Sequence, residues 1–182
     1  MGKIIIDLDD TLYDLCTPWV KYLNETTGKN IRPFEITNWN MSTYYPELSK
    51  TELYRPLNDC MVWPEVEVFE NAVETINEFM EKGHEVIFCT ATHPIIVSKK
   101  MEQTVYRFFP NWDYHNLIIC HKKDMIRGDV LIDDGPHNLK NFQGHRILFT
   151  APHNKNINAG VELSAIRCNN WKDVQRTISL IF

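Results

Sequence analysis

Short apolar runs alternate with amphipathic stretches along this chain, and that rhythm predicts its elements. Ile4-Ile5-Ile6 is β-branched and too short for a helix, which predicts a buried strand. Residues 85–90 (EVIFCT), 116–120 (NLIIC), 129–133 (DVLID) and 146–150 (RILFT) are runs of the same kind. Between them the period lengthens. Residues 18–26 carry Trp19, Val20, Tyr22 and Leu23, with Gly28 as a stop. Residues 70–82 set Ala72, Val73, Ile76, Phe79 and Met80 on one face, and Gly83 follows as a C-terminal stop. Further helices are expected over 95–109, ended by Pro110, and over 171–180. Strands alternating with helices predict an α/β fold with a doubly wound, mainly parallel sheet.

Residues 30–64 break the rhythm. They are rich in Trp, Tyr, Pro and Asn, with poor periodicity and no strand-like run. We read residues 15–69 as a small, mostly helical cap inserted after the first strand, and residues 1–14 with 70–182 as the α/β core. Composition narrows the setting. No apolar run approaches the ~20 residues a membrane span needs. The N-terminus enters a strand at once, so no export signal is expected. Five scattered cysteines without CxxC spacing suit reduced thiols in a cytoplasmic compartment. A net charge of −5 argues against gripping a nucleic-acid polymer. The sequence does not specify an oligomeric state; a homodimer is compatible with it.

The candidate chemistry sits where strands stop. Asp7 and Asp9 end the first, Thr90 the second, Lys123 lies just past the third, and Asp133 with Asp134 ends the fourth. In a parallel sheet these ends share one edge, which is where ligands bind. Each signal has a plain reading: an acidic turn capping a helix, a strand that happens to end in Thr, a solvated lysine, a DD-Gly turn. Together they are what phosphoryl transfer requires, since that chemistry is mostly positioning and charge neutralisation. Convergent carboxylates hold a hard cation such as Mg²⁺ or share a proton.

At this point the chain resembles the haloacid dehalogenase-like phosphohydrolases. Asp7-x-Asp9-x-Thr11 after an apolar strand is similar to their first motif, Thr90 to the second, Lys123 to the third and Asp133-Asp134 to the fourth. Within that superfamily it resembles the 5′(3′)-deoxyribonucleotidases, through Phe88-Cys89-Thr90, Leu131-Ile132-Asp133-Asp134, the 148–154 run LFTAPHN and Asn170-Trp171-Lys172. Where that family often has Gly-Val after the second Asp, this chain has Asp10-Thr11.

The resemblance implies Asp7 as a nucleophile forming an aspartyl-phosphate, and Asp9 as general acid and then base, oriented by Thr11. Thr90, Ala91 and Thr92 would hold phosphate oxygens. Lys123 would stabilise nucleophile and phosphate, with Lys122 as its competitor in register. Mg²⁺ would be held by Asp7, the Asp9 carbonyl and one of Asp133 and Asp134, with Asp133 as first choice. Trp39, Tyr44, Tyr45 and Trp63 of the cap could stack on a nucleobase, or could form the cap's own core. His93, His121 and His137 read as rim residues, and His153-Asn154 as a polar turn with local hydrogen bonds.

The expected activity is hydrolysis of a small phosphomonoester, a deoxy- or ribonucleoside monophosphate; the alternative is a sugar phosphate or other small metabolite. A phospho-acceptor receiver would carry its acidic pair first and its phospho-aspartate mid-chain, the reverse of the order here. A non-catalytic relic would be expected to lack a motif, and none is missing.

Overall fold

The computed structural model describes residues 1–182. The chain opens with β1 (Lys3–Asp7), then β2 (Tyr13–Asp14) and helix α1 (Cys16–Thr27). The inserted segment continues through short 3₁₀ turns to α2 (Lys50–Asn58) and returns through β3 (Glu67–Val68). There follow α3 (Ala72–Glu81), β4 (Glu85–Thr90), α4 (Val97–Gln103), α5 (Val105–Phe108) and β5 (Leu117–Ile119). The last third holds β6 (Val130–Asp133), α6 (Pro136–Leu139), β7 (His145–Phe149), α7 (Ala159–Leu163), β8 (Ile166–Cys168) and α8 (Trp171–Ile181).

Six strands form one sheet in the order β5-β4-β1-β6-β7-β8, and every pairing is parallel. The predicted α/β class and parallel sheet are what the fold contains, with β8 as an edge strand the apolar pattern did not announce. Strand residues alternate between the two faces. Ile4 and Ile6 therefore join a large core with Phe79, Phe88, Ile132 and Trp171, whereas Ile5 joins a smaller one with Leu131 and Leu148. β1 lies between β4, which leads outward to β5, and β6, which leads outward to β7 and β8. The connection order thus reverses beside β1, and a crevice opens at such a switch point beyond the carboxyl ends of the strands.

β2 and β3 pair antiparallel as a separate two-residue ribbon, Tyr13 against Val68 and Asp14 against Glu67. Beyond it, α1, α2 and the 3₁₀ turns enclose their own cluster of Val20, Leu23, Ile36, Met41, Tyr45 and Leu53. Val62, Trp63 and Val66, at the return to the ribbon, pack instead into the large core. Gly28 (φ 71°) and Gly83 (φ 81°) both adopt the left-handed conformation at the ends of their helices, as their positions predict. The single helix expected over 95–109 is two helices, because Thr104 (φ −125°, ψ −88°) interrupts the ladder. No helix is long and apolar enough to cross a membrane.

Candidate active site

The site is built on the turn after β1. Thr11, Leu12 and Tyr13 all donate backbone N–H groups to the Leu8 carbonyl, which folds the chain back sharply. The turn requires a left-handed residue, and Asp10 supplies it at φ 54°. Its Oδ1 accepts from the N–H groups of Leu15 (2.9 Å) and Cys16 (2.8 Å) at the start of α1. The turn leaves Asp7 buried at the end of β1 and Asp9 at the rim, its side chain 31% exposed.

Lys123 is buried and its ammonium bonds to both Asp7 Oδ1 and Asp133 Oδ2, the latter at 2.8 Å. Lys122, its competitor in register, is exposed. Burial alone would lower the Lys123 pKa, but Asp133 and Asp7 outweigh it and hold the ammonium above its ordinary range. Asp133 is fully committed: its Oδ1 also accepts from the Gly135 N–H (2.7 Å) and the Asn138 amide (3.0 Å). Asp134 accepts from Thr11 Oγ1 at 3.4 Å, yet its Oδ2 has no hydrogen bond. His153 Nε2 lies 2.8 Å from that oxygen, without the alignment of a hydrogen bond.

Burial raises the Asp7 and Asp134 carboxyls well above the usual carboxylate range; Lys123 opposes the shift, and the neighbouring carboxylates add to it. Burial likewise pushes Asp10 to about 7, against the Cys16 N–H, and lowers His153, against Asp10. Asp7, Asp133 and Asp134 bring carboxylate oxygens within 4.8 Å of one another, with a single ammonium to balance them. Such an excess of buried negative charge, with one oxygen left without a partner, suits a cation. The open oxygen belongs to Asp134. Asp133, the first choice as direct ligand, is engaged by Lys123, Gly135 and Asn138.

Thr90 and Thr92 lie beside this cluster, both buried, with their hydroxyls 2.9 Å apart; Ala91 between them is exposed. Thr11 does not orient Asp9, nor does it face a substrate space. It is fully buried and turned to Asp134. Asp9 is held by two residues that the sequence reading missed. Tyr13 donates to its Oδ1 at 2.8 Å, and Lys100 to its Oδ2 at 2.6 Å. Lys100 could have been found from helical phase, because it shares a face with Val97 and Thr104 rather than with solvent.

The four aromatics expected to meet a base lie in different surroundings. Trp39, half-exposed, sets its ring edge-on to His153 at 4.4 Å and lies 5.5 Å from His137, at the mouth of the site. Tyr45 is fully buried, its hydroxyl given to Asn24 (2.9 Å). The Tyr44 hydroxyl accepts from the Asn38 N–H (2.8 Å), within the insert. Trp63 is buried, donates to the Leu57 carbonyl (3.1 Å) and covers the Lys100 ammonium. Asn154 also exceeds its local reading, for its amide holds the carbonyls of Asp134 and Phe149 at 2.8 and 2.7 Å.

Comparison with known proteins fits this arrangement. Residues 2–181 match the family model described as 5′ nucleotidase, deoxy (Pyrimidine), cytosolic type C protein. The chain is 34% identical over 180 residues to the 5′(3′)-deoxyribonucleotidase of Bacillus subtilis (strain 168), covering 98% of this chain and 99% of the relative. It is 34% identical over 171 residues to the enzyme of that name from Clostridium acetobutylicum, covering 93% and 91%. A haloacid dehalogenase family hydrolase from Deinococcus radiodurans R1, solved with bound phosphate and sodium, superposes with a TM-score of 0.67 at 12% identity, covering 98% and 95%. The chain belongs to the cytosolic type C deoxy-5′-nucleotidase family of haloacid dehalogenase-like hydrolases, and is a phosphoric monoester hydrolase.

Proposed function

We propose that this enzyme removes phosphate from deoxyribonucleoside monophosphates through an aspartyl-phosphate on Asp7. The observation that carries the reading is the convergence of Asp7, Asp9, Lys123, Thr90 and Thr92 at the switch point, on a chain whose relatives are named for that activity. An Asp7 oxygen attacks phosphorus in line, and the bond to the leaving oxygen breaks. That oxygen takes a proton from Asp9 as the nucleoside departs. Asp9 then accepts a proton from water, whose oxygen displaces Asp7 and releases inorganic phosphate. Lys123 steers the Asp7 carboxylate and offsets the charge of the phosphoryl oxygens. The hydroxyls of Thr90 and Thr92 hold one of those oxygens.

Mg²⁺ fits the donor set of Asp7, Asp134 and the Asp9 carbonyl, and when bound it would neutralise phosphoryl charge. Residues 15–69 act as a cap on the site. Trp39, with Trp19, Ile36, Met41 and Tyr54, lines an apolar pocket that ends at Asp10 and His153. This aromatic lining favours a nucleobase over a sugar. Five free cysteines accord with a cytoplasmic setting.

The test is phosphate release from deoxy- and ribonucleoside 5′- and 3′-monophosphates and from sugar phosphates, with Mg²⁺ or with chelator. Release should be strongest from the deoxynucleotides, should stop in chelator, and should fall at least about 10³-fold in Asp7→Asn. Release confined to sugar phosphates would discard the substrate. Full activity of Asp7→Asn would discard the mechanism.

A further inference from the structure

Lys100 lies on α4, outside the four motifs, and its side chain is fully buried. A lysine ammonium has three N–H donors. Here they meet three acceptors: Asp9 Oδ2 at 2.6 Å, Thr92 Oγ1 at 2.8 Å and Thr90 Oγ1 at 3.0 Å. The Trp63 ring lies 4.5 Å from the ammonium. No donor is left to grip a substrate. What the lysine can do is fix the groups that touch one.

Asp9 is clamped from both sides, Lys100 holding Oδ2 and Tyr13 holding Oδ1. Its carboxyl is thereby held in one orientation at the rim, where a leaving oxygen would sit. The two threonine hydroxyls are ordered in the same way. Both accept from Lys100, and the 2.9 Å bond between them uses only one of their two protons. The other proton remains to be donated to a phosphoryl oxygen.

We propose that Lys100 is a positioning residue that aims Asp9 at the leaving oxygen. The proposal rests on the phosphomonoesterase reading above. It makes a demand that a merely structural lysine does not. A nucleoside leaves as a basic alkoxide and needs the proton of Asp9, whereas 4-nitrophenolate is a stable anion that leaves without one.

Lys100→Met keeps the length of the stem, and Asp9, partly exposed, can still reach water. The experiment compares kcat/KM for a deoxynucleoside monophosphate and for 4-nitrophenyl phosphate in wild type, Lys100→Met, Asp9→Asn and the double variant, with folding checked by circular dichroism. Lys100→Met should lose about 10²-fold on the nucleotide and less than about fivefold on the aryl ester. The double variant should lose little beyond Asp9→Asn, because the two residues act as a unit. Should Lys100→Met fail to fold, Lys100→Gln, which keeps a donor, should show the same split in smaller measure. Equal losses on both substrates, or no loss on either, would overturn the proposal. Hydrolysis of neither substrate by the wild type would overturn it together with the phosphomonoesterase reading, and so separates the two failures.

Discussion

Asp10 carries a burden that its neighbours do not. It occupies a left-handed backbone position that asparagine tolerates better than most residues, and desolvation raises the pKa of its half-buried carboxyl to about 7. A carboxyl with a raised native pKa binds its proton more tightly in the folded chain. Its ionisation therefore opposes folding, fully above pH 7 and progressively less as pH falls toward the unfolded value of about 4. Asp10→Asn keeps the oxygen that accepts from Leu15 and Cys16. In chelator at pH 8 it should melt higher than wild type, and the gap should close between pH 7 and 4. A gap independent of pH would show that backbone conformation alone is responsible. At this scale the residues at strand ends were legible in the sequence, because a carboxylate or hydroxyl closing an apolar run announces itself. Tyr13, Lys100 and Asn138 were not, since each looks like an ordinary polar or core residue until the fold turns it toward a partner.

Between residues and the whole, elements place the site by leaning on one another. α8 starts with Trp171, fully buried, whose indole donates to the Thr11 carbonyl at 3.1 Å. The last helix is thus fastened to the turn that carries Asp9 and Asp10. Trp171→Phe would keep most of the packing but leave that carbonyl without its partner. We expect a loss of about 1–3 kcal/mol in urea unfolding; an unchanged midpoint would mean that the helix is held by packing alone. The pattern of apolar positions located β1, β4, β5, β6 and β7 because each is a short run of consecutive apolar residues, and α8 because its apolar residues recur on one face. It missed β8 because three residues with a central arginine do not read as a buried run. The broken helix at Thr104 was also hidden, since the apolar period continues across the interruption. The Thr104 hydroxyl donates to the Lys100 carbonyl at 2.7 Å, just before α4 ends.

For the molecule as a whole, the inserted segment meets the sheet through the β2–β3 ribbon, the return through Trp63, and the contact of Trp39 with His153 and His137. Only the last of these lies at the mouth of the site, so on the proposed reading Trp39 is the residue through which the insert selects substrate. Trp39→Ala should raise KM for nucleoside monophosphates about tenfold or more, in line with the strength of aromatic stacking on a base. It should leave kcat/KM for a substrate without a base nearly unchanged. Equal effects on both would place Trp39 in the packing of the insert instead. The aromatic composition of the insert was plain from the sequence. Which ring faced outward was not, because Tyr45 and Trp63 have the same chemistry turned inward.

The position of β1 in the sheet also bears on how the chain is made. This strand, with three isoleucines and Asp7, leaves the ribosome before either of its partners. Its neighbours β4 and β6 begin only at residues 85 and 130. Until then the most apolar ribbon of the protein has no edge to join, and closing the sheet around it demands contacts distant in sequence, which slows folding. The nascent enzyme should therefore depend on chaperones that shield extended apolar segments. A circular permutant opened at Gly28, with β1 moved to follow β8, would expose that strand for less time.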